Sequence, residues 1–332
     1  MKYAKILSVG HYVPENVVTN DDLAKFIDTS DKWIRERTGI RERRWFDPEK
    51  DTVANMATRA TRIALERAGM EAKEIDFIVF ATITPDYFFP GSGVLLQREL
   101  GLQGIGALDI RNACSGFIYA LSVADNFIKA GMYKTILVVG AEIQSSALDK
   151  TTAGRSTNVI FADGAGAAIV QATDEAEHRI LSTHLHADGD YAEELYVRDP
   201  GSSRKVRLSK ELIEGDTFKV HMNGNFVFKH AVVRFEEVIK EALDANNLSV
   251  EDIDLLIPHQ ANLRISEFLQ KRLGLPDEKV FNNIMHLGNT TAASIPIAMS
   301  EAWEQGKIKP GKLVCLAAFG SGFTWASALI RW

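Results

Sequence analysis

Cys114 stands in the run Asp109-Ile110-Arg111-Asn112-Ala113-Cys114-Ser115-Gly116-Phe117. Here an apolar strand-like segment gives way to a helix with Phe117, Tyr119, Ala120, Leu121 and Val123 at helical spacing. A thiol at such a junction meets unpaired backbone N–H groups and the positive end of the helix dipole. Both favour the nucleophilic thiolate, so the expectation is a thiol pKa below its ordinary value. The second of the two cysteines, Cys315, lies in Lys312-Leu313-Val314-Cys315-Leu316-Ala317-Ala318. That is a buried-strand pattern in which a thiol acts as a small inert hydrophobe. Two cysteines in these settings argue against a disulfide framework. Taken alone, Cys114 reads more readily as an ordinary buried cysteine than as a nucleophile.

Two other segments change that balance. Ile257-Pro258-His259-Gln260-Ala261-Asn262 is a strand end that breaks at a proline and opens into a helix. His286-Leu287-Gly288-Asn289-Thr290-Thr291-Ala292-Ala293-Ser294 is a second polar turn before a helix. A lone histidine or asparagine at such a place is usually a cap or a satisfied polar group. Three polar elbows among small residues are harder to explain by capping. An imidazole and an amide can meet Cys114 only if these strand ends share one crevice, which is where open α/β sheets hold their ligands.

The elements that would bring them together recur along the chain. A helix followed by Glu74-Ile75-Asp76-Phe77-Ile78-Val79-Phe80-Ala81 is echoed by a helix followed by Glu251-Asp252-Ile253-Asp254-Leu255-Leu256-Ile257-Pro258. Leu100-Gly101-Leu102 answers Leu273-Gly274-Leu275, and Gly131 with Gly140 answers Gly311 with Gly320. Cys114 follows Asp76 by 38 residues, as Ala292 follows Asp254. Matching order and spacing at these landmarks points to duplication rather than to a generic alternation of helix and strand. The division expected is residues 1–172, a half carrying the nucleophile, and 173–332, a half carrying the histidine and the asparagine. The less regular stretch 172–222 lies between the regular parts. Its Arg198-Asp199-Pro200-Gly201-Ser202-Ser203-Arg204-Lys205 reads as a solvated loop.

Composition sets the class. The 332 residues are 46% hydrophobic and 25% charged, ordinary for a globular enzyme and enough for two fused halves. No segment approaches the roughly 20 apolar residues of a membrane span. The first residues, Met1-Lys2-Tyr3-Ala4-Lys5-Ile6, run into a strand pattern rather than a signal-peptide core. A net charge of -6 argues against general nucleic-acid binding. The expectation is a cytoplasmic protein that binds neither nucleic acid nor membrane.

The segments NACSGF, PHQANLRI, GNTTAAS and FGSGFTWASALIRW resemble those of the β-ketoacyl-acyl-carrier-protein synthase III family, the initiating condensing enzymes of bacterial fatty acid synthesis. The likeness runs nearly end to end, from Ile6-Leu7-Ser8-Val9-Gly10 through Asp28–Ile34 to Trp332. It implies a thiolase-like α/β fold, two pseudo-duplicated halves layered αβαβα with the central helices back to back. It further implies a homodimer, acyl-CoA and malonyl-acyl-carrier protein as substrates, and no cofactor.

By the same resemblance Cys114 is the nucleophile, and His259 and Asn289 hold the malonyl thioester carbonyl. The backbone N–H groups of Cys114 and Ser321 form the oxyanion hole. Trp33 and Arg155 would sandwich adenine, while Thr29, Arg37, Gly224, Ala261 and Asn262 line the CoA path. Phe89 would be the gate that one subunit inserts into the other's acyl pocket, and Phe161 another wall. Lys229, Arg264, Lys271 and Arg272 would offer a basic face to the acidic carrier, with Arg264 and Lys271 seven apart on one helix face. Ser321 and Ala326 stand where many relatives have glycine, and Asn112 replaces a smaller residue.

Neighbouring chemistries fit less well. Elongating ketosynthases pair the cysteine with two histidines, whereas Asn289 supplies an amide here. Degradative thiolases carry a second reactive cysteine at the C-terminal glycine-rich turn, which here is Phe319-Gly320-Ser321-Gly322. Hydroxymethylglutaryl-CoA synthases set a glutamate beside the cysteine, and that segment has none. Two alternatives stay open on the sequence: a specialised relative handling longer or unusual acyl groups in secondary metabolism, and an inactive acyl-binding scaffold. The second would be expected to lose Cys114, His259 or Asn289, all of which are present.

Overall fold

The computed structural model describes residues 2–332. Its first sheet has five strands in the order Tyr3–Tyr12, Gly164–Thr173, Thr135–Glu142, Phe77–Ala81 and Gly106–Ile110. The first two pairings are antiparallel, and the last two are parallel. The second sheet repeats the scheme with Arg179–Ala187, Thr324–Arg331, Leu313–Gly320 and Leu255–Pro258. Again two antiparallel pairings precede a parallel one. The fifth strand of the first half is answered only by a single bridge between Leu256 and Val280.

The repetition reaches individual residues. Asp76 accepts from the N–H groups of Lys134 and Thr135, and Asp254 accepts from that of Leu313, so each aspartate anchors the strand beside its own. Ala113 and Thr291 both adopt positive φ, 45° and 51°. Each opens a single tight turn, Ala113–Ser115 and Thr291–Ala293, and each turn leads into a central helix, Gly116–Lys129 or Ser294–Glu304. The spacing that pairs Cys114 with Ala292 in the sequence therefore pairs two equivalent helix entries.

Both sheets are covered on both faces, which is why Phe77–Ala81 and Leu313–Gly320 read as unbroken apolar runs. The two central helices fill the space between the sheets. There Phe117, Leu121, Ile295 and Met299 share one core with Val79, Val138, Leu316 and Ala328. Outside the first sheet lies Val53–Ala68, and outside the second lie Gly224–Asp244 and Leu263–Leu273. The result is the five-layer αβαβα arrangement. Helix ends follow local chemistry: Thr52 and Asn55 form a capping box, Asn262 caps the helix after it, and Gly69 and Gly274 end their helices at positive φ.

Close approach of the two halves needs residues without side chains. A Cβ on Gly140 would lie 2.3 Å from the carbonyl oxygen of Ala292. Between the halves, residues of the stretch 172–222 supply two short strands, Leu195–Tyr196 and His221–Met222, paired antiparallel.

Candidate active site

Cys114 occupies the turn ahead of the first central helix and is only 7% exposed. Burial pushes its thiol up to about 12, and the nearby Glu142 carboxylate adds to the rise. The backbone N–H groups of Cys114 and Ser321 act in the opposite direction. The thiolate expected from a helix N-terminus is thus overturned for the resting protein. Loss of water outweighs the two backbone N–H groups at this turn. Glu142 is itself fully buried, and burial raises it to about 7 despite bonds from the Thr82 and Thr84 hydroxyls and the Ile83 N–H.

The glycine-rich turn reaches the nucleophile because Gly320 has no side chain. A Cβ there would meet the Cys114 Cβ at 2.7 Å and its sulfur at 3.2 Å. Next to it, the Ser321 hydroxyl donates a short hydrogen bond to the carbonyl of Leu195. That bond ties the glycine-rich turn to the short strand Leu195–Tyr196. Ala326 is buried in the strand ladder opposite Ala318, and the Asn112 carbonyl accepts from Ser115.

His259 follows the end of its strand, where its N–H donates to the Ala317 carbonyl at 2.8 Å. Burial alone lowers its pKa to about 3, so the imidazole is neutral. Nδ1 lies 2.6 Å from the Ser294 hydroxyl, while Nε2 has no protein partner among the described residues. Asn289 follows Gly288, whose φ of 66° suits a residue without Cβ. Its backbone pairs with Ile160 and Ala162, holding it beside Phe161. Its Oδ1 accepts from the Thr291 N–H at 2.8 Å, which leaves the amide NH2 as the group available to donate.

Cys114, His259 and Asn289 line one cavity of about 590 Å³. Trp33, Arg37, Gly224, Ala261, Asn262, Arg264 and Phe161 line it as well. Thr29 and Arg155 stand outside that lining, although the Thr29 hydroxyl is buried and unpartnered. The adenine sandwich is not preformed, because the Arg155 guanidinium sits 4.7 Å from the Trp33 ring and Arg37 4.3 Å from it. Cation–π attraction holds Arg155 against Trp33, so no open slot stands between them. The Asn262 side chain is committed to structure, accepting from Arg264 N–H and donating to the Arg37 carbonyl.

Phe89 is 79% exposed and does not line this chain's own cavity. Of the four basic candidates, Lys229, Arg264 and Lys271 are exposed without an ion pair among the described residues. Arg272 differs, for it pairs with Glu236 at 2.7 Å, and that carboxylate neutralises its charge.

Sequence reasoning did not single out Glu142, Ser294 or the apolar wall of Leu195, Met222, Val227, Phe228 and Phe235. Val227, Phe228 and Phe235 all lie on the helix Gly224–Asp244. Nothing in one chain's sequence signals a lone buried glutamate at the end of a strand.

Residues 108–189 match the family described as 3-oxoacyl-[acyl-carrier-protein] synthase III, and residues 243–332 match its C-terminal part. A β-ketoacyl-[acyl-carrier-protein] synthase III of Xanthomonas campestris pv. campestris is 49% identical over 332 residues, covering 99% of this chain and 98% of that protein. The crystal structure of the Aquifex aeolicus 3-oxoacyl-[acyl-carrier-protein] synthase III superposes with a TM-score of 0.91 at 44% identity, covering 99% of this chain and 100% of that one. The Thermus thermophilus enzyme gives 0.90 at 41%, covering 99% of each chain.

Proposed function

The chain belongs to the 3-oxoacyl-[acyl-carrier-protein] synthase III family, and from that membership we infer that it performs the initiating condensation of fatty acid synthesis. A short acyl-CoA primer condenses with malonyl-acyl-carrier protein, giving a β-ketoacyl-carrier protein, CoA and carbon dioxide. The observation that carries the reading at this site is the meeting of Cys114, His259 and Asn289 in one cavity.

In the first half-reaction the Cys114 sulfur attacks the primer thioester, and the tetrahedral oxyanion is received by the N–H groups of Cys114 and Ser321. The C–S bond to CoA breaks, and the proton lost from Cys114 leaves with the CoA thiol. In the second, loss of carbon dioxide from the malonyl group leaves an enolate on the thioester oxygen. His259 and Asn289 donate to that oxygen. The enolate carbon then attacks the acyl-Cys114 carbonyl. Collapse of the second tetrahedral oxyanion breaks the C–S bond and releases Cys114 as a thiolate, which takes a proton from water. Every charge that develops meets a hydrogen-bond donor of this chain, so the scheme calls for no metal or organic cofactor.

The exposed Tyr87-Phe88-Phe89 stretch suits a homodimer in which Phe89 enters the neighbouring acyl pocket. No helix among the described residues is long and apolar enough to cross a membrane. With substrates that are CoA and carrier-protein thioesters, the cytoplasm is the proposed compartment. Lys229, Arg264 and Lys271 serve as the carrier-docking face, Arg37 and Trp33 as CoA contacts, and Thr29 and Arg155 join them once Arg155 moves.

The test separates the half-reactions. His259→Ala and Asn289→Ala should each slow malonyl decarboxylation by about 100-fold or more, the usual cost of one oxyanion-type donor. Self-acylation by acyl-CoA should survive in both. Equal losses in the two half-reactions would overturn the division of labour, and sedimentation of the purified protein as a monomer would overturn the dimer.

A further inference from the structure

His259 can serve as a donor to the malonyl thioester only if its single proton sits on Nε2. A neutral imidazole carries one N–H, and the partner of the other nitrogen decides which. The partner of Nδ1 is the hydroxyl of Ser294, at 2.6 Å. Ser294 is the first residue of the second central helix and is buried. A hydroxyl can give or receive, so the pair by itself allows either tautomer.

The surroundings of that hydroxyl break the tie. The Gln260 N–H points at the Ser294 oxygen at 3.5 Å, a long contact that occupies its acceptor side. Gln260 has no freedom to turn elsewhere. Its Nε2 donates to the carbonyls of Pro258 at 2.7 Å and Phe281 at 3.3 Å. Its Oε1 accepts from the N–H groups of Asn283 at 3.0 Å and Ile284 at 3.2 Å. This clamp fixes the backbone of residues 259–261, further held by the Ala261 N–H on the His259 carbonyl.

With the backbone donor on its oxygen, Ser294 has its own proton to place, and Nδ1 is its only side-chain partner among the described residues. Were Nδ1 protonated, the serine oxygen would face two donors while its own proton stayed unbonded in the core. An unmade hydrogen bond of a buried donor carries its full desolvation penalty. Donation from serine to Nδ1 satisfies both the hydroxyl and Nδ1 and puts the imidazole proton on Nε2. That nitrogen is the one without a protein partner, on a side chain that lines the cavity.

We propose that Ser294 is a positioning residue that sets the His259 tautomer, holding the proton on Nε2 so that the imidazole is a donor and not a base. The proposal rests on the condensing reaction inferred above, and it sharpens the roles there. With Nε2 protonated and the Nδ1 lone pair taken up by Ser294, His259 has no free lone pair for the Cys114 proton, so self-acylation proceeds without it. The enolate formed on decarboxylation meets a donor already in place.

The experiment reads the tautomer and the chemistry separately. Imidazole 15N spectra of histidine-labelled protein, with His259 assigned by its loss in His259→Ala, should show Nε2–H in the wild type. In Ser294→Ala the signals should move toward the other tautomer or an exchanging mixture. The same variant should lose about 10- to 100-fold in kcat for condensation, the range of partners acting through another residue. KM for malonyl-carrier protein should change little, and self-acylation should remain near normal. Ser294→Thr, which keeps the hydroxyl, should restore both the spectrum and kcat. A wild-type Nδ1–H tautomer overturns the proposal, as does an unchanged His259 spectrum in Ser294→Ala. So does an equal loss in both half-reactions that Thr does not rescue. A wild type with the Nε2–H spectrum but no turnover of malonyl-carrier protein would instead overturn the condensing function and leave the tautomer assignment standing.

Discussion

The hydroxyl of Ser115 lies 2.6 Å from the hydroxyl of Thr324, and Thr324 in turn donates to the Ser321 carbonyl at 3.0 Å. Ser115 follows the nucleophile in the first half, and Thr324 opens the strand after the glycine-rich turn in the second. Two hydroxyl groups thus fasten the turn that carries Ser321 to the turn that carries Cys114. The two N–H groups assigned to the oxyanion hole belong to different halves of the chain, and this contact joins the turns that carry them.

Thr324→Val keeps the shape of the side chain and removes the link. With the Thr324 proton on the Ser321 carbonyl, the single Ser115 proton is shared between Thr324 and the Asn112 carbonyl. In the variant it goes to Asn112, and the Ser321 carbonyl loses its donor. Loss of one buried hydrogen bond costs about 1–3 kcal/mol. We expect a folded variant whose self-acylation burst slows about tenfold or more, measured by rapid-quench mass analysis. A normal burst would show that the turn holds its place without Thr324.

Cys114→Ala should abolish acyl-enzyme formation and leave the fold intact, since a smaller side chain still fits the turn beside Gly320. Cys315→Ala should acylate normally, because that thiol is fully buried in the second sheet. Intact-mass measurement after exposure to a panel of acyl-CoAs decides the matter. An acyl adduct on the Cys114→Ala variant would place the nucleophile elsewhere.

The pH behaviour of Cys114 and Glu142 is coupled. With the thiol pushed up to about 12, alkylation by iodoacetamide should climb from pH 7 to 9 without a plateau, reaching about tenfold per unit only above pH 8, once Glu142 is ionised. Glu142, raised to about 7, is half ionised at the bottom of that range and ionised above it, where its charge opposes the thiolate. Glu142→Gln should therefore label faster at pH 8 and converge on the wild type near pH 5.5. Stability follows the same group. A carboxyl whose folded pKa lies above its unfolded 4.5 contributes stability below pH 4.5 and loses it as pH rises through 7. Relative to the wild type, the Gln variant should gain on the order of 3 kcal/mol between pH 5 and pH 8. Thermal melts with no pH-dependent difference would contradict a buried, titrating Glu142.

Arg264→Glu should raise KM for malonyl-carrier protein far more than it slows self-acylation. Arg264 stands at the cavity rim without an ion pair among the described residues, so its charge is available to an acidic partner. Reversal turns steering into repulsion, and the effect should shrink with salt, since screening acts over about 10 Å at 0.1 M. Arg272→Glu should matter less to docking, because Glu236 already neutralises that arginine. Normal carrier binding by Arg264→Glu at low salt would remove the proposed docking face.

Local chemistry made much of this protein legible in one dimension. The duplicated spacing around Asp76 and Asp254, the apolar strands and the turns before each central helix follow from residue order, so they told of two layered halves. Cys114, His259 and Asn289 stood out because each is a reactive or donating side chain at a strand-to-helix junction among small residues. Tertiary structure decided what depends on the far side of each group. Burial against Glu142 raised the thiol that a helix end alone would have lowered, because desolvation is set by everything that packs around an atom. Ser294 met His259 across two elements, Thr324 met Ser115 across both halves, and Arg155 closed on Trp33. Such contacts join residues distant in the chain, and their energy depends on angles and enclosure that spacing along the sequence does not encode.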